Sequence, residues 1–288
     1  NALGGLWTAI IPAEQAVIEA VLPAGTQAQT QLEIADVTHG THIFWKADAT
    51  PKAAGSCNVH TACPAGDAWR NEIRSVGRYT FSNGIQTFLC SGSLVNNTSQ
   101  NKKPYFLTAN HCVDNTIKAN SVVMYWNYQT GDCAGNIPGT LTQNQSGSSL
   151  RTTNTASDFS LIELSATPNP AFNVYYAGWD ARDAAPNGVT GIHHPAGDTK
   201  RISVDNNAQT ITSVGGSASP GNGNFLRIGA WDVGTTEGGS SGSGLWSNSG
   251  RKIVGTLSAG NAGCSNTRGS DWYGRFTRSY YAGTTSSH

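Results

Sequence analysis

The chain has 288 residues, its 18 basic residues balance 18 acidic ones, and only 12% are charged, about half the usual ~25%. No basic run or patch marks a nucleic-acid surface, no block of like charge marks an interaction tail, and no apolar run reaches the ~18–20 residues that cross a bilayer. Eight Trp, nine Tyr and eight Phe spread along the chain argue against a disordered protein.

Residues 1–52 contain no cysteine. W-T-A-I-I (7–11), A-V-I-E-A-V-L (16–22) and T-Q-L-E-I-A-D-V (30–37) read as short strands, with turns at Pro12 and at Pro23-Ala24-Gly25. Pro12, Glu14 and Glu19 interrupt the most membrane-like stretch of the chain. No basic n-region precedes an apolar h-region, so a signal peptide is expected to lie outside this sequence. A-D-A-T-P-K-A-A-G-S (47–56) suits an exposed linker, with a boundary at Lys52. The alternative is a single domain with a strand-rich N-terminal arm.

From Cys57 onward, strand-length apolar runs recur between turn residues. They are Thr87–Val95, Tyr105–Ala109, Ser121–Tyr128, Phe159–Leu164, Val189–His193, Phe225–Trp231, Ile253–Leu257 and Trp272–Thr277. These runs are rich in Val, Ile, Phe, Tyr and Trp, and few windows support a long helix. Many short strands joined by Gly/Asn turns predict an all-β sandwich or barrel.

Six cysteines stand at 57, 63, 90, 112, 133 and 264, without a C-x-x-C pair. An even count in a neutral Ser/Thr/Asn-rich chain favours three disulfides and an oxidising compartment over six buried thiols. Spacing alone does not give the pairing.

Three segments suggest chemistry. T-A-N-H-C (108–112) ends a strand-like run with His111, which reads as a catalytic imidazole, a packed side chain, or with Cys112 half of a zinc site. S-D-F-S-L-I-E-L (157–164) sets Asp158 just before a buried strand, where it either orients an imidazole or caps its own turn. E-G-G-S-S-G-S-G-L-W (237–246) is either a tether or a tight turn whose glycines let N–H groups converge beside an exposed serine. Because it runs directly into K-I-V-G-T-L, the tether reading is weaker. The order is His, Asp, Ser, with sequence separations of 47 and 83. Chymotrypsin-type barrels use that order for their triad.

Residues from about Cys57 to Arg278 resemble the bacterial lysyl endopeptidases, a secreted branch of the chymotrypsin-like serine proteases. The matching stretches are G-S-C-N (55–58), C-S-G-S-L-V-N-N-T (90–98), Y-F-L-T-A-N-H-C (105–112), V-V-M-Y-W-N-Y-Q (122–129), S-D-F-S-L-I-E-L, A-G-W-D (177–180), I-H-H-P (192–195), K-R-I-S (200–203), G-S-S-G-S (239–243) and S-D-W-Y-G-R (270–275). The resemblance implies two six-stranded antiparallel β-barrels with the active site between them. It implies His111 as general base, Asp158 as its orienting carboxylate, and Ser241 as nucleophile, with Gly239 and Ser241 N–H groups as the oxyanion hole. It also implies the pairings Cys57–Cys264, Cys63–Cys133 and Cys90–Cys112. No cofactor and no metal are expected.

The same resemblance places substrate-binding residues at Asp271, Ser258 and Gly260. Thr235 stands where trypsin-like enzymes carry their pocket carboxylate, so Asp271 takes that role and selects lysine. Ser258 and Val214 occupy positions where the family stacks a histidine on a tryptophan, and Ala259 replaces a glycine. A broader Lys/Arg preference, or an inactive homologue acting as a binding module, are the alternatives. The family is made as a precursor, which implies that residues 1–52 end a pro-region cut between Lys52 and Ala53. Expected partners are protein or peptide substrates with lysine at the cut bond and the chain's own pro-region. Neither nucleic acid nor membrane is expected, and the protein is expected to be a secreted, extracellular bacterial monomer. His193-His194 resembles a metal pair, but neighbouring strand residues point to opposite faces, so a structural role is preferred. Trp126, Trp179 and Trp231 read as core.

Overall fold

Strand formation begins where the cysteines begin. The computed structural model describes residues 5–11, 13, 15–38, 53–216 and 223–282; within these, the first strand is β1 (Val59–His60) and the last is β15 (Asp271–Arg275). A first antiparallel sheet is built from β2 (Val76–Ser82), β3 (Thr87–Val95), β4 (Tyr105–Thr108), β5 (Val123–Trp126), β6 (Asn144–Ser146), β7 (Ser148–Asn154) and β8 (Phe159–Leu164). Its order is β6-β5-β2-β3-β4-β8-β7. Only Gly147 separates β6 from β7; its N–H donates to the Val122 carbonyl (2.7 Å) and its carbonyl accepts from Ser165 N–H (3.0 Å). The two pieces therefore act as one bent strand that pairs at both edges, and the sheet curls into a barrel of six strands.

The second sheet repeats the device. It contains β9 (Asn187–His193), β10 (Arg201–Ala208), β11 (Thr210–Thr212), β12 (Phe225–Ile228), β13 (Gly244–Ser247), β14 (Ile253–Gly260) and β15, in the order β1-β10-β9-β13-β14-β15-β12-β11. Here β10 and β11 flank Gln209 and join opposite edges, with β1 added outside β10. Two six-stranded antiparallel barrels, the expected architecture, are the result. Helices are short: α1 (Arg70–Ser75), α2 (Thr116–Asn120) and α3 (Phe276–Ala282). The last replaces the end of the run expected as a strand to Thr277.

Each barrel has its own apolar filling, and a third cluster glues them together. Tyr79, Leu94, Phe106, Met124, Trp126 and Ile162 fill the first; Val189, Leu226, Ile228, Leu245 and Tyr273 fill the second. Between them pack Ile73, Val76, Leu107, Ile192, Ile202, Trp246, Ile253 and Phe276. An apolar seam of this kind fixes the relative placement of the barrels, and hence of any site built across them. Trp126 and Trp231 are buried as expected, whereas Trp179 is half-buried.

The N-terminal segment departs from the expectation. No strand forms at 7–11, 16–22 or 30–37, although the Pro23 turn is present, with Thr26 N–H on the Pro23 carbonyl (3.2 Å). The turn at Pro12 lies outside the described residues. An apolar alternation becomes a strand only where a sheet edge takes its N–H groups and a core takes its side chains. Here Val17, Val21 and Val37 are 94%, 88% and 79% exposed. The segment touches the first barrel through Ile10 N–H to Tyr125 Oη (2.9 Å) and Thr87 Oγ1 to Thr38 Oγ1 (3.1 Å).

All three expected disulfides are present: Cys57–Cys264, Cys63–Cys133 and Cys90–Cys112. The last removes the zinc alternative, because the Cys112 sulfur is already bonded. It also ties the His111 loop to β3 across a separation of 22 residues. Replacing both of its cysteines by alanine is expected to cost about 3 kcal/mol, seen as a melting temperature roughly 6–12 °C lower.

Candidate active site

Pairing register brings the first two residues together. In the β4–β8 pair Thr108 faces Ser160, so the residues just beyond Thr108 and just before Ser160 share one end of the barrel. His111 and Asp158 are those residues. His111 N–H donates to Asp158 Oδ1 (2.9 Å), and His111 Nδ1 lies 2.7 Å from Asp158 Oδ2. A carboxylate only accepts, so Nδ1 carries the proton and Nε2 is left as a base. Asp158 adopts φ +49°, a left-handed conformation uncommon outside glycine. Its two bonds to His111 over-determine that conformation, as does Ser157, whose carbonyl fills the space where a Gly274 Cβ would stand. The turn-cap alternative for Asp158 therefore does not describe its carboxylate.

The glycine-rich stretch is an ordered turn between the barrels. Its positive-φ glycines are Gly239 (+94°) and Gly242 (+81°). A Cβ on Gly242 would stand 2.2 Å from Thr108 Oγ1 and 2.9 Å from Ala109 N, so this residue lies directly against the strand that leads to His111. Ser91 of β3 clamps the turn from the first barrel: its N–H donates to the Ser241 carbonyl (2.9 Å) and its hydroxyl to the Gly239 carbonyl (2.9 Å). Ser240 and Ser243 are fully buried, whereas Ser241 is partly exposed. Its hydroxyl makes no hydrogen bond to a described residue, His111 included, and such contacts commonly tighten only with substrate bound. The N–H groups of Gly239 and Ser241 donate to no described residue either, leaving two donors open beside the Ser241 hydroxyl.

Asp271 opens β15, opposite Gly260 on one side and Ile228 on the other. It is fully buried. Oδ2 accepts from Trp231 Nε1 and Thr236 Oγ1, both at 2.7 Å, while Oδ1 has no hydrogen-bond partner among the described residues. Burial pushes this carboxyl above the usual range, against the pull of the Trp231 and Thr236 donors. A Cβ on Gly260 would stand 1.8 Å from Oδ1, so only glycine leaves that oxygen room. Ser258 is half-buried at a bulge between Leu257 and Ala259, and Val214, 46% exposed, lies in the turn after β11. Three contributors escaped the sequence reading. Trp231 looked like core alone, and nothing in the sequence marked Thr236 or Ser91; their spatial partners set them beside the site.

The family pattern of the lysyl endopeptidase C-terminal domain matches residues 51–274. The chain belongs to the lysyl endopeptidase family. A lysyl endopeptidase of Pseudomonas aeruginosa is 32% identical over 253 residues, covering 83% of this chain and 53% of that protein. The chain thus spans about half the length of this lysyl endopeptidase relative. Solved structures share the fold at low identity. A thermostable serine protease from an extremophilic microorganism has TM-score 0.52 and 16% identity, over 75% of this chain and all of that one. An HtrA-type protease solved with a tripeptide has TM-score 0.54 and 12% identity, over 76% of this chain and 62% of that chain. Within the lysyl endopeptidase family, this member presents a tautomer-fixed imidazole, a partly exposed serine among open N–H donors, and one buried half-satisfied carboxylate.

Proposed function

We propose that the protein is a secreted serine endopeptidase that cuts peptide bonds on the carboxyl side of lysine. The observation that carries the reading is the two-point contact between His111 and Asp158 beside a turn in which Ser241 alone among three serines is accessible. His111 Nε2 takes the Ser241 proton as Oγ attacks the scissile carbonyl, and Gly239 and Ser241 N–H groups receive the developing oxyanion. The proton passes to the leaving amine, the C–N bond breaks, and an acyl-Ser241 ester remains. Water, deprotonated by the same imidazole, attacks the ester, and Ser241 regains its proton as the acid product leaves. Each oxyanion donor is worth about 10²–10³ in rate.

Lysine preference rests on Asp271. With Oδ2 committed to Trp231 and Thr236, one oxygen is left for the substrate, which suits a point-like ammonium better than a two-pronged guanidinium. Ser258 favours a second reading, tolerance of arginine, because the family's histidine is missing there. Digestion of a mixed peptide library, with cut sites mapped by mass spectrometry, tests both. Cuts after lysine alone support the first reading, cuts after both residues the second, and no cuts with no fluorophosphonate label at Ser241 would indicate an inactive binding module.

Maturation between Lys52 and Ala53 is part of the same proposal. Lys52 lies outside the described residues. The residues that follow it are held by the second barrel: Ala54 N–H on Asp198 Oδ2 (3.1 Å), Gly55 N–H on Glu237 Oε2 (3.0 Å), and the Cys57–Cys264 bridge. These contacts would keep a new N-terminus seated after cleavage. The three disulfides suit export to an oxidising compartment. N-terminal sequencing of the active form is expected to begin at Ala53, and a Ser241→Ala chain should stay uncut; a start far from Ala53 sinks this maturation scheme.

A further inference from the structure

The histidine pair at the end of β9 is not arranged for a shared metal. His193 and His194 are both fully buried and separately engaged, His194 Nδ1 with the Asp198 carbonyl (2.9 Å) and His193 with two serines. The directions of the His193 bonds can be assigned. Ser203 Oγ donates to the Thr235 carbonyl (2.7 Å), so it accepts from His193 Nε2–H (3.0 Å). His193 Nδ1 is then bare and accepts from Ser240 Oγ–H (2.8 Å), and Ser240 Oγ in turn receives Glu237 N–H (3.3 Å). Burial, with a smaller effect from Arg201, pushes His193 down to about 3, so the ring is neutral at any working pH.

We propose that His193 is a positioning residue, which acts through Ser240 to hold the turn that presents the hydroxyl and N–H of Ser241. The inference rests on the reading of Ser241 as nucleophile. Gly238, Gly239 and Gly242 surround Ser240, and glycine gives a turn no stiffness of its own. A side-chain anchor from inside the second barrel supplies it, complementing the Ser91 clamp from the first. A neutral anchor is suited to this place, because a carboxylate beside the turn would repel the oxyanion that the turn must stabilise.

Three variants of the full chain, assayed with lysyl peptide substrates, test this. Ser240→Ala removes the linking oxygen. His193→Gln retains a donor where Nε2 stood but offers no acceptor at the Nδ1 position, whereas His193→Asn puts an oxygen there. Ser240→Ala and His193→Gln are expected to lower kcat about 10- to 100-fold with KM little changed, the pattern of a displaced reacting group. Affinity for a lysine-ended peptide aldehyde, whose hemiacetal oxygen occupies the oxyanion hole, should fall by the same factor. His193→Asn should recover most of both. Unchanged kcat in Ser240→Ala, or a loss confined to KM, overturns the proposal; so does His193→Asn that melts like the parent yet is as slow as His193→Gln. Should the histidine variants not fold, Ser240→Ala decides alone. Ser241→Ala separates this from the underlying reading: activity and fluorophosphonate labelling that survive it refute the nucleophile, whereas an inert Ser241→Ala beside a fully active Ser240→Ala refutes only the positioning role.

Discussion

Asp158→Asn is expected to lower kcat by about 10⁴ while leaving the protein folded. Asp158 accepts two hydrogen bonds from one residue, His111 N–H at Oδ1 and the ring at Oδ2. An asparagine meets only one of them. If its oxygen stays on the backbone N–H, its NH₂ faces Nδ1, which must then give up its proton; Nε2 becomes the protonated nitrogen and stops being a base. If the amide flips, its NH₂ opposes the His111 N–H. The first outcome disables the imidazole, and the second is disfavoured because it sets one donor against another. Stability should change little, since asparagine tolerates the left-handed φ of +49° better than most residues. Steady-state kinetics with thermal melting checks this; kcat within tenfold of the parent would show that Asp158 does not set the tautomer of His111.

The second large effect is expected from Asp271→Asn. Removing the charge should cut kcat/KM on lysyl substrates by about 10²–10⁴-fold, corresponding to the ~3–5 kcal/mol lost when one partner of a buried ion pair is deleted. Stability should move the other way, or not at all. Burial raises the Asp271 carboxyl, so the folded chain binds its proton more readily than the unfolded chain does. The ionised side chain therefore costs stability above its unfolded pKa, and the cost fades as pH falls. Asparagine escapes it while its oxygen can still accept from Trp231 and Thr236. In the parent, KM for lysyl peptides should begin to rise on acidification at a higher pH than an exposed aspartate would give. A variant that loses stability and activity together would mark Asp271 as a packing residue instead.

The fold was legible where burial writes a simple pattern. β3 and β8 run over the expected Thr87–Val95 and Phe159–Leu164, because each alternates or saturates with Leu, Phe, Val and Ile. β2 went unread: V-G-R-Y-T-F-S is buried throughout, yet carries Arg78, Thr80 and Ser82 inside it. β10 likewise ends in D-N-N-A, a run that only its pairing with β9 makes a strand. The N-terminal alternations erred in the opposite direction, having the pattern of strands without an edge to join.

The sequence by itself determined the class of fold and singled out His111 and Asp158 as candidates; family resemblance added Ser241 and Asp271 as candidates and gave the disulfide pairs. These are properties of residue type and order, which survive without coordinates. Only the tertiary structure decided which serine is accessible, which oxygen of Asp271 is open, and that Ser91 and His193 bond the glycine-rich turn while Trp231 and Thr236 bond Asp271. Each of those follows from a hydrogen bond between residues 35 to 148 positions apart, set by barrel closure and by the apolar seam between the barrels. A partner that distant leaves no local trace in the chain, because its donor or acceptor is chosen by packing rather than by neighbours.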